Sequence, residues 1–315
     1  MNGIKIKGMG HCVPAQVLTN EDIAQRVETS DDWITSRTGI RQRRHCAAEG
    51  HLDLCTGAAQ AALERAGVTA DQIGVCVVAT LAADTIVPSA ACALQRTLGL
   101  PEDTVCFDLN AACTGFLFAL HTVECLLNAA SRSYGLVLGC DVLSRLTNWE
   151  DRSTCVLFGD GAGAAVVECR TGWPSIGAVL GVHGNESLLF CPGIGSDEPS
   201  CIAMEGQAVY KFAVAAIPWC LDQVLEKHHI TVDAVDFFVF HQANARILDR
   251  VVRKYHIPPE KYGKNIDAYG NTSAASIPIL LSELQAQGKL TSGSRVLVVG
   301  FGGGLTWGGA LVEFA

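Results

Sequence analysis

Cys113 stands in FDLNAACTGFLFAL, residues 107–120, where a short apolar run gives way through small residues to a second apolar run with helical spacing. A thiol at that junction lies at or just before a helix N-terminus, where unpaired backbone N–H groups and the positive end of the helix dipole favour a thiolate. A thiolate so placed is a nucleophile, and Ala111, Ala112 and Gly115 beside it leave access for a substrate. Two more polar side chains occupy comparable junctions. In DFFVFHQANARILDRVV, His241 is the first polar residue after a continuously apolar run, and in NIDAYGNTSAASIPILL, Asn271 sits in a glycine-bearing turn ahead of an apolar helix. Each has an ordinary alternative: an inert buried cysteine, a core histidine, a turn or N-cap asparagine. The residues alone leave both readings open.

The segments that would position these groups recur along the chain. TADQIGVCVVAT begins at Thr69 and TVDAVDFFVFHQ at Thr231, an offset of 162 residues; LVLG begins at Leu136 and LVVG at Leu297, an offset of 161. Glycine-rich bends and closing strands follow in the same order, FGDGAGAAVVE from Phe158 and FGGGLTWGGALVE from Phe301. A shared offset and a shared order point to duplicated halves. By an offset of 162, residue 113 corresponds to residue 275, which makes the Asn271 turn the second copy of the Cys113 turn and brings all three candidates near the middle of the molecule. Between the strands, residues 53–67 and 208–229 carry apolar residues at helical intervals, with Pro218 expected to kink the second. The strands VCVVA, LVLG, FFVF and RVLVVG are apolar throughout, as expected of sheets covered by helices on both faces. The architecture that follows is a layered α/β fold written twice.

Composition narrows the function. About half of the 315 residues are apolar and only 17% are charged, which suits a large compact core. A formal charge of −9 argues against broad nucleic-acid binding. The start lacks the apolar core of a signal peptide, and no stretch reads as the roughly 20 apolar residues of a membrane span, so a soluble, cytoplasmic protein is expected. The fourteen cysteines contain no C-x-x-C pair and fit neither a zinc site nor a redox pair; no metal is expected, and most are read as reduced, buried, small apolar residues. GDGAG and FGGGLTWGG match neither phosphate-loop pattern and each precedes an apolar strand, so they are read as tight turns.

The motifs TSDDWITSRTGIRQRR, VPSAACALQ, AACTGF, DRSTCVLFGDGAGAAV, HQANARI, GNTSAASIP and FGGGLTWGGALVEF, in that order over essentially the whole chain, resemble the β-ketoacyl-acyl carrier protein synthase III family of thiolase-fold condensing enzymes. The resemblance implies a thiolase-like, duplicated five-layered αβαβα architecture, with residues 1–170 as the half carrying the nucleophile and 171–315 as the half carrying the histidine and asparagine. It implies decarboxylative condensation of an acyl-CoA primer with malonyl-acyl carrier protein through an acyl-Cys113 intermediate, by a homodimer, with the CoA thioester as substrate and no cofactor. Cys113, His241 and Asn271 would be catalytic, the backbone N–H groups of Cys113 and Gly303 would form the oxyanion hole, and Phe158 would keep the site dry. By the same resemblance Trp33 and Arg152 sandwich the CoA adenine, Arg37 and Thr38 contact its nucleotide, and Met204, Gly206, Gln207, Ala243 and Asn244 wall the pantetheine tunnel. Gln207 is a longer amide than the family pattern has, and Thr114 replaces an expected Ala or Ser. Val87 falls where a residue projects into the partner's acyl pocket; being smaller than the usual Phe, it is expected to admit a longer or branched primer. Arg246, Arg250, Arg253 and Lys254 recur on one helical face, and with Lys211 they form a candidate landing patch for an acidic carrier. Two other readings stay open: a related enzyme of specialised metabolism that condenses with another nucleophile or transfers acyl groups to oxygen or nitrogen, and a non-catalytic acyl-CoA-binding protein on the same fold.

Overall fold

The computed structural model describes residues 2–315. One sheet has five strands in the spatial order Gly3–Cys12, Gly161–Arg170, Tyr134–Asp141, Ile73–Ala79 and Val105–Leu109. The other has four, Val179–Val182, Thr306–Glu313, Arg295–Gly302 and Phe237–Phe240. Written in these directions the two orders match strand for strand. Each pairs two neighbours in parallel, Ile73–Ala79 with Tyr134–Asp141 and Phe237–Phe240 with Arg295–Gly302, and then returns antiparallel through the closing strand. The fifth strand of the first sheet has no full counterpart; a single parallel bridge between Phe238 and Tyr262 stands in its place.

Alternation along the apolar strands generates the layers. Val75, Val77, Phe237, Val239, Val296 and Val298 face a central cluster that also holds Phe116, Leu117 and Leu120 from the helix Gly115–Leu127 and Ile277, Leu280 and Leu281 from Ser276–Ala286. Their strand neighbours face outward: Cys76 and Val78 pack under the helices His51–Ala66 and Ala90–Leu98, while Phe238, Phe240, Leu297 and Val299 pack under Gly206–Lys227 and Ala245–Lys254. Most sheet residues therefore bury apolar surface on one face or the other, and the order helix, sheet, helix, sheet, helix follows. The helix Gly206–Lys227 is long and apolar enough by length and composition to cross a membrane, contrary to the sequence expectation, but its Ala213, Ile217, Leu221 and Val224 are buried in the outer cluster over the second sheet. Pro218 lies inside this helix without ending it.

At the centre the two copies touch. A single 3₁₀ turn, Ala112–Thr114, precedes the helix from Gly115, and its twin, Ser273–Ala275, precedes the helix from Ser276. The offset has fallen to 161 by this point, so Cys113 corresponds to Ala274 rather than to residue 275. Both turns start at a residue with positive φ, Ala112 at 46° and Ser273 at 51°, a conformation side chains other than glycine rarely adopt. The same sparse backbone solution thus appears in both copies. A Cβ on Gly139 would lie 2.1 Å from the Ala274 carbonyl oxygen, and one on Gly115 would lie 2.8 Å from the Ala79 Cβ. We expect Gly139→Ala to lower the unfolding free energy by about 1–3 kcal/mol, the usual cost of overpacking, in urea denaturation; an unchanged midpoint would show that the turn has room to retreat.

Candidate active site

Cys113 occupies the expected strand-to-helix junction, but its resting state differs from the expectation. Burial pushes the thiol up to about 11, against the Ser273 side chain and the backbone N–H groups of Cys113 and Gly303, which favour the thiolate. At rest Cys113 is therefore a neutral thiol. Gly302 lets the neighbouring loop come this close, since a Cβ there would lie 2.9 Å from the Cys113 Cβ. Thr114 has a definite job: its hydroxyl bonds the Ala111 carbonyl at 2.7 Å and Thr306 Oγ1 at 2.9 Å, and Thr306 bonds the Gly303 carbonyl at 2.9 Å. These bonds tie the Cys113 turn to the Gly303 bend.

His241 ends the strand Phe237–Phe240 and is 1% exposed, with its backbone N–H on the Val299 carbonyl. Its Nδ1 lies 2.6 Å from the Ser276 hydroxyl, and its ring meets Phe301 edge to face. Ser276 also accepts the Gln242 N–H, so its own proton is free to go to Nδ1, which leaves Nε2 as the N–H of the imidazole. Burial pushes His241 down to about 3, and the ring is neutral. Asn271 is held by its own backbone, N–H to the Leu157 carbonyl and C=O from the Gly159 N–H, in an isolated bridge with Phe158. Its Oδ1 accepts the Ser273 N–H at 2.9 Å. The amide orientation is thereby fixed, and Nδ2 makes no hydrogen bond among the described residues.

A cavity of about 220 Å³ brings Cys113, His241 and Asn271 together and runs out past Phe158, Met204, Gly206 and Ala243 to Thr38, Arg37 and Trp33. A second, wider cavity of about 830 Å³ opens from the other side of Cys113, past Phe158, Leu189 and Ser273 to Ile86 and Ile194. Cys113, Phe158 and Leu189 border both. The bridge between Leu189–Phe190 and Ala203–Met204 sets Leu189 and Met204 beside one another. Leu189, Val209, Tyr210 and Phe301 are wall residues the sequence reading missed, because nothing local distinguishes them from ordinary core positions.

The binding residues divide. Gln207 is exposed and lines neither cavity; the first turn of its helix presents Gly206 to the tunnel instead. Asn244 lines the tunnel, but its Oδ1 caps the next helix through the Arg246 N–H and its Nδ2 holds the Arg37 carbonyl. Thr38 is buried and bonded to Ile34 and Ile40. Arg37 and Arg152 both lie over the Trp33 ring, at 4.5 and 4.9 Å from its centroid. An adenine between Arg152 and Trp33 needs two stacking distances, about 7 Å, so this pair is closed and Arg152 would have to move aside. Val87 is 85% exposed and lines no cavity of its own chain. Lys211, Arg246, Arg250, Arg253 and Lys254 are all exposed and none forms an ion pair among the described residues; the last four lie on the helix Ala245–Lys254, which starts at the tunnel wall, and Lys211 on the helix Gly206–Lys227. All fourteen cysteines are free thiols, yet only six are fully buried, fewer than expected.

The profile of the 3-oxoacyl-[acyl-carrier-protein (ACP)] synthase III family matches residues 107–184, and its C-terminal part matches residues 225–314. The beta-ketoacyl-[acyl-carrier-protein] synthase III of Clostridium acetobutylicum is 41% identical over 324 residues, covering 100% of this chain and 99% of the relative; that of Streptococcus suis is 43% identical over 323, covering 99% of each. This chain belongs to the synthase III family. The crystal structure of the Aquifex aeolicus 3-oxoacyl-[acyl-carrier-protein] synthase III superposes with a TM-score of 0.93 at 40% identity, over 99% of this chain and 100% of that one. The duplicated five-layered architecture is thus the thiolase-like fold of the synthase III enzymes.

A neutral His241 has a thermodynamic signature. Its pKa of about 3 lies below the unfolded value of 6.5, so from pH 6.5 downward the unfolded chain takes up a proton that the native protein refuses. The native state then loses about 1.4 kcal/mol per pH unit from this group until pH approaches 3. The stability of His241→Gln should fall less steeply than that of the parent protein between pH 6 and 4 in urea titrations, and equal slopes would mean that His241 charges in the native state.

Proposed function

We propose that this protein condenses an acyl-CoA primer with malonyl-acyl carrier protein, using Cys113 as nucleophile and His241 with Asn271 as oxyanion donors. The observation that carries the reading is the placement of the Cys113 thiol at the junction of two cavities, facing a neutral imidazole and an amide whose Nδ2 is unspent. Names of relatives at about 40% identity over the full length support the reaction class.

In the first half-reaction the pantetheine arm fills the narrow tunnel and the acyl chain passes Phe158 into the wider cavity. Cys113 sulfur attacks the thioester carbonyl, the oxyanion is held by the Cys113 and Gly303 N–H groups, and the CoA thiolate leaves and takes the proton that Cys113 gives up. The Cys113 and Gly303 N–H groups belong to fixed backbone, tied together through Thr114 and Thr306, so little reorganisation is needed as charge develops. In the second half-reaction the malonyl thioester carbonyl lies between His241 Nε2–H and Asn271 Nδ2. Loss of CO2 leaves an enolate oxygen that two neutral donors stabilise, and the carbanion attacks the acyl thioester and expels Cys113. A protonated His241 would polarise the carbonyl more strongly, but burial forbids that form; two fixed neutral donors in a dry site replace it.

The remaining assignments belong to the same proposal. CoA is substrate, not resident cofactor, and the two sequence halves, 1–170 and 171–315, are the functional halves. Ile86, Phe190 and Ile194, 71%, 42% and 80% exposed, form an apolar rim on the wide cavity, and Val87 next to Ile86 is 85% exposed. Such a rim supports a homodimer in which Val87 completes the partner's acyl pocket.

Intact-protein mass spectrometry after exposure to a panel of acyl-CoAs tests the nucleophile: we expect one acyl adduct, absent in Cys113→Ala and discharged only by malonyl-acyl carrier protein. Asn271→Ala should still acylate but lose 10²- to 10³-fold in condensation rate, as for removal of one oxyanion donor; equal losses in both half-reactions would remove Asn271 from its assigned step. For the carrier patch, Arg250→Glu should raise KM for the malonyl carrier several-fold and leave acylation by acyl-CoA unchanged, the effect shrinking at high salt. An unaltered KM at low salt would assign docking to another surface.

A further inference from the structure

Behind the site, on the outer side of the first sheet, three soft ligand groups meet that the reaction does not use. His51 and Cys55 lie one turn apart on the helix His51–Ala66, and Cys140 comes from the strand Tyr134–Asp141. Their ligand atoms all lie within 4.8 Å of one another, and Cys55 Sγ is 3.6 Å from His51 Nδ1. His51 is 1% exposed and both cysteines are fully buried. The other side of the imidazole is already committed: Nε2 lies 3.1 Å from the Cys140 carbonyl and 3.0 Å from Thr80 Oγ1. A carbonyl only accepts, so the Nε2 proton is fixed there, and Nδ1 turns its lone pair toward the two sulfurs. A ring nitrogen held on a backbone carbonyl while the other faces thiols is the usual setting of a metal-bound histidine.

We infer that His51, Cys55 and Cys140 form a closed three-coordinate site for a soft monovalent metal ion, copper(I) by chemical class. With metal–sulfur and metal–nitrogen bonds of about 2.3 and 2.0 Å, a trigonal ion separates nitrogen from sulfur by about 3.7 Å and sulfur from sulfur by about 4.0 Å, close to what the chain provides without an ion. No fourth His, Cys, Asp or Glu joins the cluster among the described residues. Zinc, which takes four ligands in structural sites, is left one short, whereas copper(I) is matched by thiolates in an apolar surround. The ion replaces the proton shared by Cys55 and His51 and, on full ligation, the Cys140 thiol proton; both protons leave to solvent, and no oxidant or reductant takes part. No local motif marks the site, because Cys140 is far from the other two along the chain and the set has no C-x-x-C spacing.

The test is an anaerobic titration of the reduced protein with copper(I) against a chelating competitor, together with X-ray absorption of the loaded protein. We expect one tight equivalent, bound by two sulfurs and one nitrogen, and an affinity at least a hundredfold weaker in Cys55→Ser and in Cys140→Ser, with Cys220→Ser, a buried thiol in the outer cluster of the second sheet, unchanged. Equal affinity in all three variants, or a sulfur-only shell, would overturn the assignment. Should the two ligand variants fail to fold, the absorption spectrum of the unaltered protein decides alone. A parallel titration with zinc(II) should show weaker, competitor-removable binding; zinc held more tightly than copper(I) would also refute it.

Discussion

Everything at the site depends on backbone meeting backbone where the two halves abut. The turn Ser273–Ala275 can lie against the strand Tyr134–Asp141 because Gly139 carries no side chain, Gly115 likewise leaves room for Ala79 and Ala274 beside the Cys113 turn, and Ala112 and Ser273 accept a left-handed backbone. Such strain persists where the surrounding structure over-determines it. Here two apolar helices, buried between two sheets, supply that constraint. The outcome is that Cys113 from one half lies beside Ser273, next but one to Asn271, from the other.

Burial then sets the chemistry by cost. A charge in this centre is expensive, and both groups that could carry one are neutral at rest: the thiol is pushed up and the imidazole down. The site compensates with fixed dipoles, the N–H groups of Cys113 and Gly303, the Ser276-oriented imidazole and the Asn271 amide, which cost nothing to reorient when charge appears. Thr114 and Thr306 hold one set, the Ser273 N–H holds the Asn271 amide and the Ser276 hydroxyl holds the imidazole. Of these, the Thr114–Thr306 bond ties one half to the other.

The sequence displayed the fold well because its signal is the one physics enforces most strictly. Strands buried on both faces must be apolar throughout, and a duplication repeats them at a near-constant offset, so Ile73–Ala79 and Phe237–Phe240 were legible as copies. The catalytic candidates were legible because they sit at the ends of those strands. The offset misplaced the partner of Cys113 by one residue, since a length change between strand and turn leaves no mark in composition. The thiolate expectation weighed the helix end and could not weigh the desolvation that overrides it. Gln207 and Asn244 were placed by analogy; the structure points one at solvent and uses both ends of the other to cap a helix and hold Arg37. Leu189 and Tyr210 became visible only once a distant strand pair and a long helix were folded against the tunnel.

The two cavities meeting at Cys113 differ in bore, and that difference imposes traffic rules. The corridor from Trp33 is the narrower of the two and leads to one sulfur. On the proposed reading both thioesters present their arms through it, so the first carrier must vacate before the second can enter, and an excess of either holds the door against the other. The acyl chain, parked in the wider chamber on the far side of Phe158, does not obstruct the exchange. On that reading sequential occupancy is built into the plumbing, and the movement asked of the entrance is that Arg152 leave the Trp33 ring.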